Sequence, residues 1–200
     1  MRRPASRLLL LTVLALGLAG PALAGKLADA EAAFAAGRDA QAMQLYTDAI
    51  AEAGDDASAK ATAYFGRGEV HAINRRTDEA VADFSAVVAL PVDAETRANA
   101  YFSRAEALSR RRRWEPALVD YAEALKLQPM LIGAHYARGR ALRALDRPQE
   151  AVAEFDAELK INPDSFRAQS QRADLLGLPQ PRNHARDGFG GGFGDSAGSD

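Results

Sequence analysis

The sequence of 200 residues contains no cysteine. That single absence excludes disulfides, thiol nucleophiles, thiolate metal sites and lipidation of an N-terminal cysteine. Histidine is scarce as well, with three in the chain. His71, His135 and His184 are scattered, and no HExxH or other metal-ligand spacing occurs. No serine sits in a GxSxG elbow. The glycines of Gly188–Gly194 do not fall in a GxGxxG spacing and have no strand or helix beside them, so they make no phosphate-binding loop. An enzyme is not expected, and neither is a cofactor, a bound metal or a small-molecule substrate. Long apolar runs are also wanting. The longest, Leu8–Gly20, has 13 residues, short of the about 20 that a membrane-spanning helix needs.

That run has a different meaning. Arg2, Arg3 and Arg7 precede it, Pro21 breaks it, and Ala22-Leu23-Ala24 offers a small-residue cleavage site before Gly25. Residues 1–24 therefore read as a secretory signal peptide that takes no part in the fold. The mature chain is expected in the periplasm or outside the cell, with membrane contact only during export. It would carry 22 basic and 27 acidic residues, a net charge of −5, which argues against nucleic-acid binding.

What the remainder does have is period. Tyr101, Ala105 and Leu108 form one apolar ladder, and Ala117, Tyr121 and Ala124 a second, each on one face of a helix. Ser109–Arg113 between them is long enough only for an antiparallel turn. Pro129 ends the unit. The pattern returns along the chain. Ala151, Gly139, Leu142, Phe155 and Pro163 match Ala117, Ala105, Leu108, Tyr121 and Pro129; Ala80, Gly68, Tyr64 and Phe84 match one unit earlier; Ala42, Tyr46 and Ala49 match in the first. This recurrence near 34 residues resembles the tetratricopeptide repeat family. The resemblance implies an all-α fold: an α-solenoid of about four helix-turn-helix repeats at about 26–53, 61–92, 98–130 and 132–164, closed by a capping helix at 165–176. Gly37 suits the first interhelical turn, Gly54–Lys60 reads as a longer loop, and Thr77 reads as an N-cap. Residues 177–200, rich in glycine, are expected to be a disordered tail.

Charges recur too. Arg67, Arg104, Arg138 and Arg172 hold one repeat position, and Asp83, Asp120 and Glu154 another, while the first repeat has Asp29 and Leu45 in those places. Appearing and vanishing together, they are expected to pair, within one repeat or with the preceding one. Arg110–Arg113 before Trp114 reads either as a grip for an acidic partner or as a solvated turn.

The resemblance implies a protein-interaction module that binds its partner, a protein or peptide, in a concave groove lined by first helices. By that resemblance Leu27, Phe65, Phe102 and Tyr136 would face the groove, with Glu31, Glu69, Glu106 and Arg140 one turn further on and Arg110 and Arg143 toward its later part. A partner would lay apolar side chains on the stripe of rings and turn its acidic portion toward the fourth repeat. The competing reading packs those rings between helices. The lysine and asparagine set with which some family members clamp a C-terminal carboxylate is absent. Two functions stand: an exported adaptor for a peptide segment or protein of the bacterial envelope, or a structural part of an envelope or secretion complex acting by self-association or docking.

Overall fold

A computed structural model describes residues 20–181. The described residues form nine α-helices and no strand: α1 (Pro21–Ala35), α2 (Asp39–Glu52), α3 (Ala57–Ile73), α4 (Thr77–Ala89), α5 (Ala94–Arg110), α6 (Trp114–Leu127), α7 (Ala134–Ala144), α8 (Pro148–Ile161) and α9 (Phe166–Leu176). Each helix packs on the next, and the first helices of successive hairpins also touch: α1 on α3, α3 on α5, α5 on α7. The fold is an all-α solenoid of four hairpins and a closing helix. The expected signal segment before Gly20 and most of the glycine-rich tail lie outside the described residues.

A short turn closes each hairpin. After α1, Gly37 adopts φ 77°, and the Arg38 and Gly37 amides donate to the Ala33 and Phe34 carbonyls, satisfying the free end of the helix. The same turn recurs at Arg75, Arg112 and Asp146, with φ of 61°, 57° and 56°. Three residues that bear a Cβ thus hold a left-handed conformation that costs about 1–2 kcal/mol.

Between the two helices of a hairpin lies one ring from the second helix. Tyr46, Phe84, Tyr121 and Phe155 are each 0–1% exposed. The helices close over them because small residues face them. A Cβ built on Gly68 would stand 2.8 Å from the Phe84 ring, and one on Gly139 2.7 Å from Phe155. Buried residues accordingly gather in successive clusters along the solenoid rather than in one central core.

Helix α1 begins at Pro21, so its first turn overlaps the end of the segment expected to be removed on export. Proline is accommodated in a first turn, where its missing N–H has no helical partner, and Leu23 is buried in the first cluster. The segment 54–60 is not a loop throughout: α3 starts at Ala57, capped by Asp56, whose side chain accepts from the Ala59 amide at 2.9 Å. The extra residues of that interval lengthen a helix. Thr77 is the first residue of α4 and buried, while Arg76 holds the N-cap position. At the far end Ser165 caps α9, and Gly177 (φ 64°) ends it. Among the described residues no helix is long and apolar enough to cross a membrane.

Candidate functional site

The residues expected to line a groove divide into two groups. Leu27, Phe65 and Phe102 are 6%, 9% and 6% exposed. Phe65 tilts against Phe84 with ring centroids 5.4 Å apart, and Phe102 against Tyr121 at 5.9 Å. Tyr136 is half-buried, against Phe155 at 5.9 Å, with the Arg140 guanidinium 5.8 Å above its ring. The aromatic stripe is therefore mostly core, a correction to the groove expectation. A ring in this position touches the ring of the facing helix, and pairing them buries more apolar surface than leaving one open.

Among the residues left accessible on the first helices is a line of charges. Glu31, Glu69 and Glu106 are partly exposed and Arg140 is exposed, all at one repeat position on α1, α3, α5 and α7. The line runs from acid to base along the solenoid. Burial pushes the Glu31 carboxyl up to about 7. Glu106 accepts a hydrogen bond from the Tyr121 hydroxyl at 2.5 Å, and that hydroxyl also lies 3.1 Å from Ser109 Oγ. Arg143 bonds Gln171 of the closing helix and lies 3.9 Å from Asp174. Arg110 is exposed, yet its Nη1 donates to the Ala72 carbonyl at 3.1 Å. It neutralises the negative end of α3. The rest of the arginine run is solvated, with Arg112 forming the turn, and Trp114 packs partly buried against the cluster formed by α5, α6 and α7.

The recurring arginines pair as expected, and the structure settles with which acids. Arg67 holds Asp83 at 3.0 and 2.7 Å, and Arg104 holds Asp120 with both contacts at 2.7 Å. Arg138 pairs with Glu154. All three bridge the helices of their own hairpin, Arg67 and Arg104 in the forked geometry that suits a carboxylate and Arg138 through one carboxylate oxygen, the other facing His135. The third guanidinium nitrogen reaches back to the preceding hairpin: Arg67 Nη1 donates to Thr47 Oγ1 at 3.1 Å, and Arg104 Nη1 to Ser85 Oγ at 2.9 Å. Among the described residues no helix follows that of Arg172, which pairs backward with Asp156, a residue at the repeat position of Thr47 and Ser85. In the third hairpin that position is Ala122, and a cleft of about 520 Å³ opens there, lined in part by Val119, Arg138, Arg147 and Glu150.

His71 and His135 join this network. His135 Nδ1 lies 2.8 Å from Glu154, and His71 Nε2 lies 3.8 Å from Asp83. Burial holds the His71 pKa below the usual range. Burial opposes charge on Glu154, but hydrogen bonds from His135 and Arg138 outweigh it and hold its pKa low.

Sequence reasoning missed Glu158. It is 2% exposed, and its carboxylate accepts from the Gly133 amide at 3.2 Å and the Tyr136 amide at 3.3 Å. An anion thus caps α7 from α8. The signal was present: Glu158 stands at the repeat position of Ala49, Val87 and Ala124, where a charge is out of place unless something buried calls for it.

No known family profile matches the sequence, and no curated protein matches it either. Solved structures do. MamA aligns with TM-score 0.66 at 16% identity, over 74% of this chain and 82% of its own. YrrB, described as a tetratricopeptide repeat protein with an unusual peptide-binding site, aligns with TM-score 0.63 at 18% identity, over 76% and 75%. The chain has the tetratricopeptide repeat fold. The first tetratricopeptide repeat domain of Spaghetti (RPAP3), solved with an HSP90 peptide, shares the fold with TM-score 0.55 at 22% identity, over 59% of this chain and 94% of that domain. At these identities the likeness to the tetratricopeptide repeat structures is one of fold.

Proposed function

We propose that this chain is an interaction adaptor that binds a peptide segment along the face of its first helices. The observation that carries the proposal is the line Glu31, Glu69, Glu106 and Arg140: one repeat position on touching helices, accessible, and reversing sign along its length. Glu106 and Arg140 also hold neighbouring rings, but a line that reverses sign at the surface can in addition orient a bound extended segment. Two solved proteins of the same fold, YrrB and Spaghetti (RPAP3), are described as binding peptides, which supports the reading. The partner presents basic side chains toward α1 and α3 and acidic ones toward α7. This replaces a stripe of rings with a charge gradient as the recognition feature. We further propose that the chain acts after export, on a partner in the periplasm or beyond. The basic, apolar and small-residue order of residues 1–24 supports that.

The test is capture of synthetic peptides with opposite charge order. A peptide basic at one end and acidic at the other should bind more tightly than its mixed-charge permutation, and binding should weaken with salt. Equal affinity for both would refute the proposal. Export is tested separately by mass spectrometry of the secreted protein, where retention of Met1 would exclude signal cleavage.

A second reading, a part of a larger assembly, rests on Met130 and Ile132. They are 65% and 64% exposed in the loop between α6 and α7. Light scattering decides: a monomer at micromolar concentration speaks against self-association.

A further inference from the structure

We infer that the cleft between α6 and α8 is a second binding site, for an uncharged peptide segment that carries serine or threonine beside an aliphatic residue. It lies apart from the line of charges on the first helices and does not rest on it. Arg138 lines the cleft and Arg140 belongs to the line, and two residues of α7 set them roughly 200° apart around the helix.

The internal repeats show what the cleft lacks. Arg67 and Arg104 each hold an acid of their own hairpin and give Nη1 to a hydroxyl on the second helix of the preceding one, that of Thr47 or Ser85. Arg138 likewise holds Glu154, but where that hydroxyl would stand the preceding hairpin has Ala122, which offers no acceptor. Among the described residues Glu154 is its only hydrogen-bond partner. The missing side chain leaves space as well. Ala122 and Arg138 both line the cleft of about 520 Å³, a volume within the range of ligand-binding clefts. The Arg138 side chain is 28% exposed, against 22% and 21% for Arg67 and Arg104, so its spare N–H groups are within reach of a bound segment.

The walls fix the rest of the ligand. Leu118, Val119, Leu142 and Ala153 make them largely apolar. Val119 is 64% exposed and is the odd residue of its repeat position, where the other hairpins have Gln44, Ala82 and Ala153. Covering it removes apolar surface from water. The charges at the cleft are already matched. Glu154 is bonded to Arg138 and His135, and Glu150 is held in the fork of Arg147. An added carboxylate would meet those two acids, and an added ammonium the two guanidiniums. The repeats draw the same distinction. Arg67 and Arg104, which already hold an acid, take a neutral hydroxyl as their further acceptor. Arg172, with no helix after its own among the described residues, takes the carboxylate of Asp156. Arg138 has its acid, so the acceptor it lacks is a hydroxyl, and the partner supplies it.

The experiment pans a random linear heptamer library, displayed on phage, against the full chain after depletion on Ala122→Thr protein. That substitution installs the hydroxyl that Thr47 gives to Arg67, so it should close the site from within. The variant should melt no lower than wild type, because the bond gained offsets the weaker helix preference of threonine. Peptides that survive depletion should share serine or threonine next to leucine, isoleucine or valine. Synthesised and titrated by fluorescence anisotropy, they should bind the Ala122→Thr protein about tenfold more weakly or worse. Replacing their own hydroxyl residue with alanine should cost as much on wild type, as expected for a hydrogen bond to a charged group. Val119→Ser, a change at an exposed position that leaves the fold alone, should weaken them severalfold. If no peptide survives depletion, or the survivors are indifferent to losing their hydroxyl, the inference is overturned, while the adaptor reading keeps its own test. If light scattering finds wild type dimeric and the Ala122→Thr protein monomeric, a second copy fills the cleft. If a synthetic peptide of residues 182–200 binds wild type and not the Ala122→Thr protein, the chain's own terminus fills it. Either result overturns the assignment to a partner. The alanine-substituted peptides and Val119→Ser do not depend on how the Ala122→Thr protein folds.

Discussion

Arg104→Ala should be the costliest single change among the recurring charges. Asp120 is 4% exposed and is held by two guanidinium contacts of 2.7 Å. Removing Arg104 strands that carboxylate between α5 and α6 and also takes away the Ser85 contact with the preceding hairpin. Breaking a buried pair costs about 3–5 kcal/mol. The Arg104 side chain is 21% exposed, so water entering its vacated space rehydrates the acid in part, and roughly 2–4 kcal/mol is expected. Urea denaturation followed by circular dichroism reads the loss as a lower midpoint. A changed slope as well would mean that hairpins have begun to unfold separately, which stacked repeats permit. Double-mutant cycles then locate the partner. Arg104→Ala with Asp120→Ala should show strong coupling, and Arg104→Ala with Asp83→Ala little. Replacing the pair by Arg104→Met and Asp120→Leu should recover much of the loss, since an apolar pair leaves no stranded charge. A single-mutant cost below about 0.5 kcal/mol, the size of an ordinary surface change, would refute the reasoning. Equal coupling to both acids would do the same.

Phe102→Ala should cost about 3–5 kcal/mol, as for a core ring, and a loss under about 1 kcal/mol in urea would return the ring to the surface. Glu31→Gln tests the raised carboxyl. Between its unfolded value near 4.5 and its folded value of about 7, the native state binds more proton, so this group's contribution to stability falls as pH rises. The variant should therefore match wild type at about pH 4 and melt higher at about pH 8; a difference independent of pH would contradict the burial argument. Arg112→Gly should stabilise by about 0.5 kcal/mol, because relief at φ 57° exceeds the added freedom of glycine in the unfolded chain. A lower urea midpoint would show that the turn is unstrained.

Much of this architecture was legible from residue order alone. Helical period, the length between repeats and the proline stops are local properties, and they set the number of hairpins and which residues pack. The pairing of arginines with acids was legible because both vanish from the first repeat together. The partner within each pair was not, since both candidate acids lie at sensible distances in sequence. Only the crossing of two helices puts Asp120 in the fork of Arg104. The same limit explains the rings. Period places Phe65 and Phe102 on a helix face, but whether that face meets water or another ring depends on how closely the hairpin closes, and Gly68, like Ala105, lets it close fully. Helix α1 starts early for a kindred reason: Pro21 stops a helix that precedes it and starts one that follows, and burial of Leu23 decides for the second. Glu158 belongs wholly to tertiary structure. A buried polar atom is defined by what surrounds it, and those surroundings come from helices that the chain brings together only when it folds.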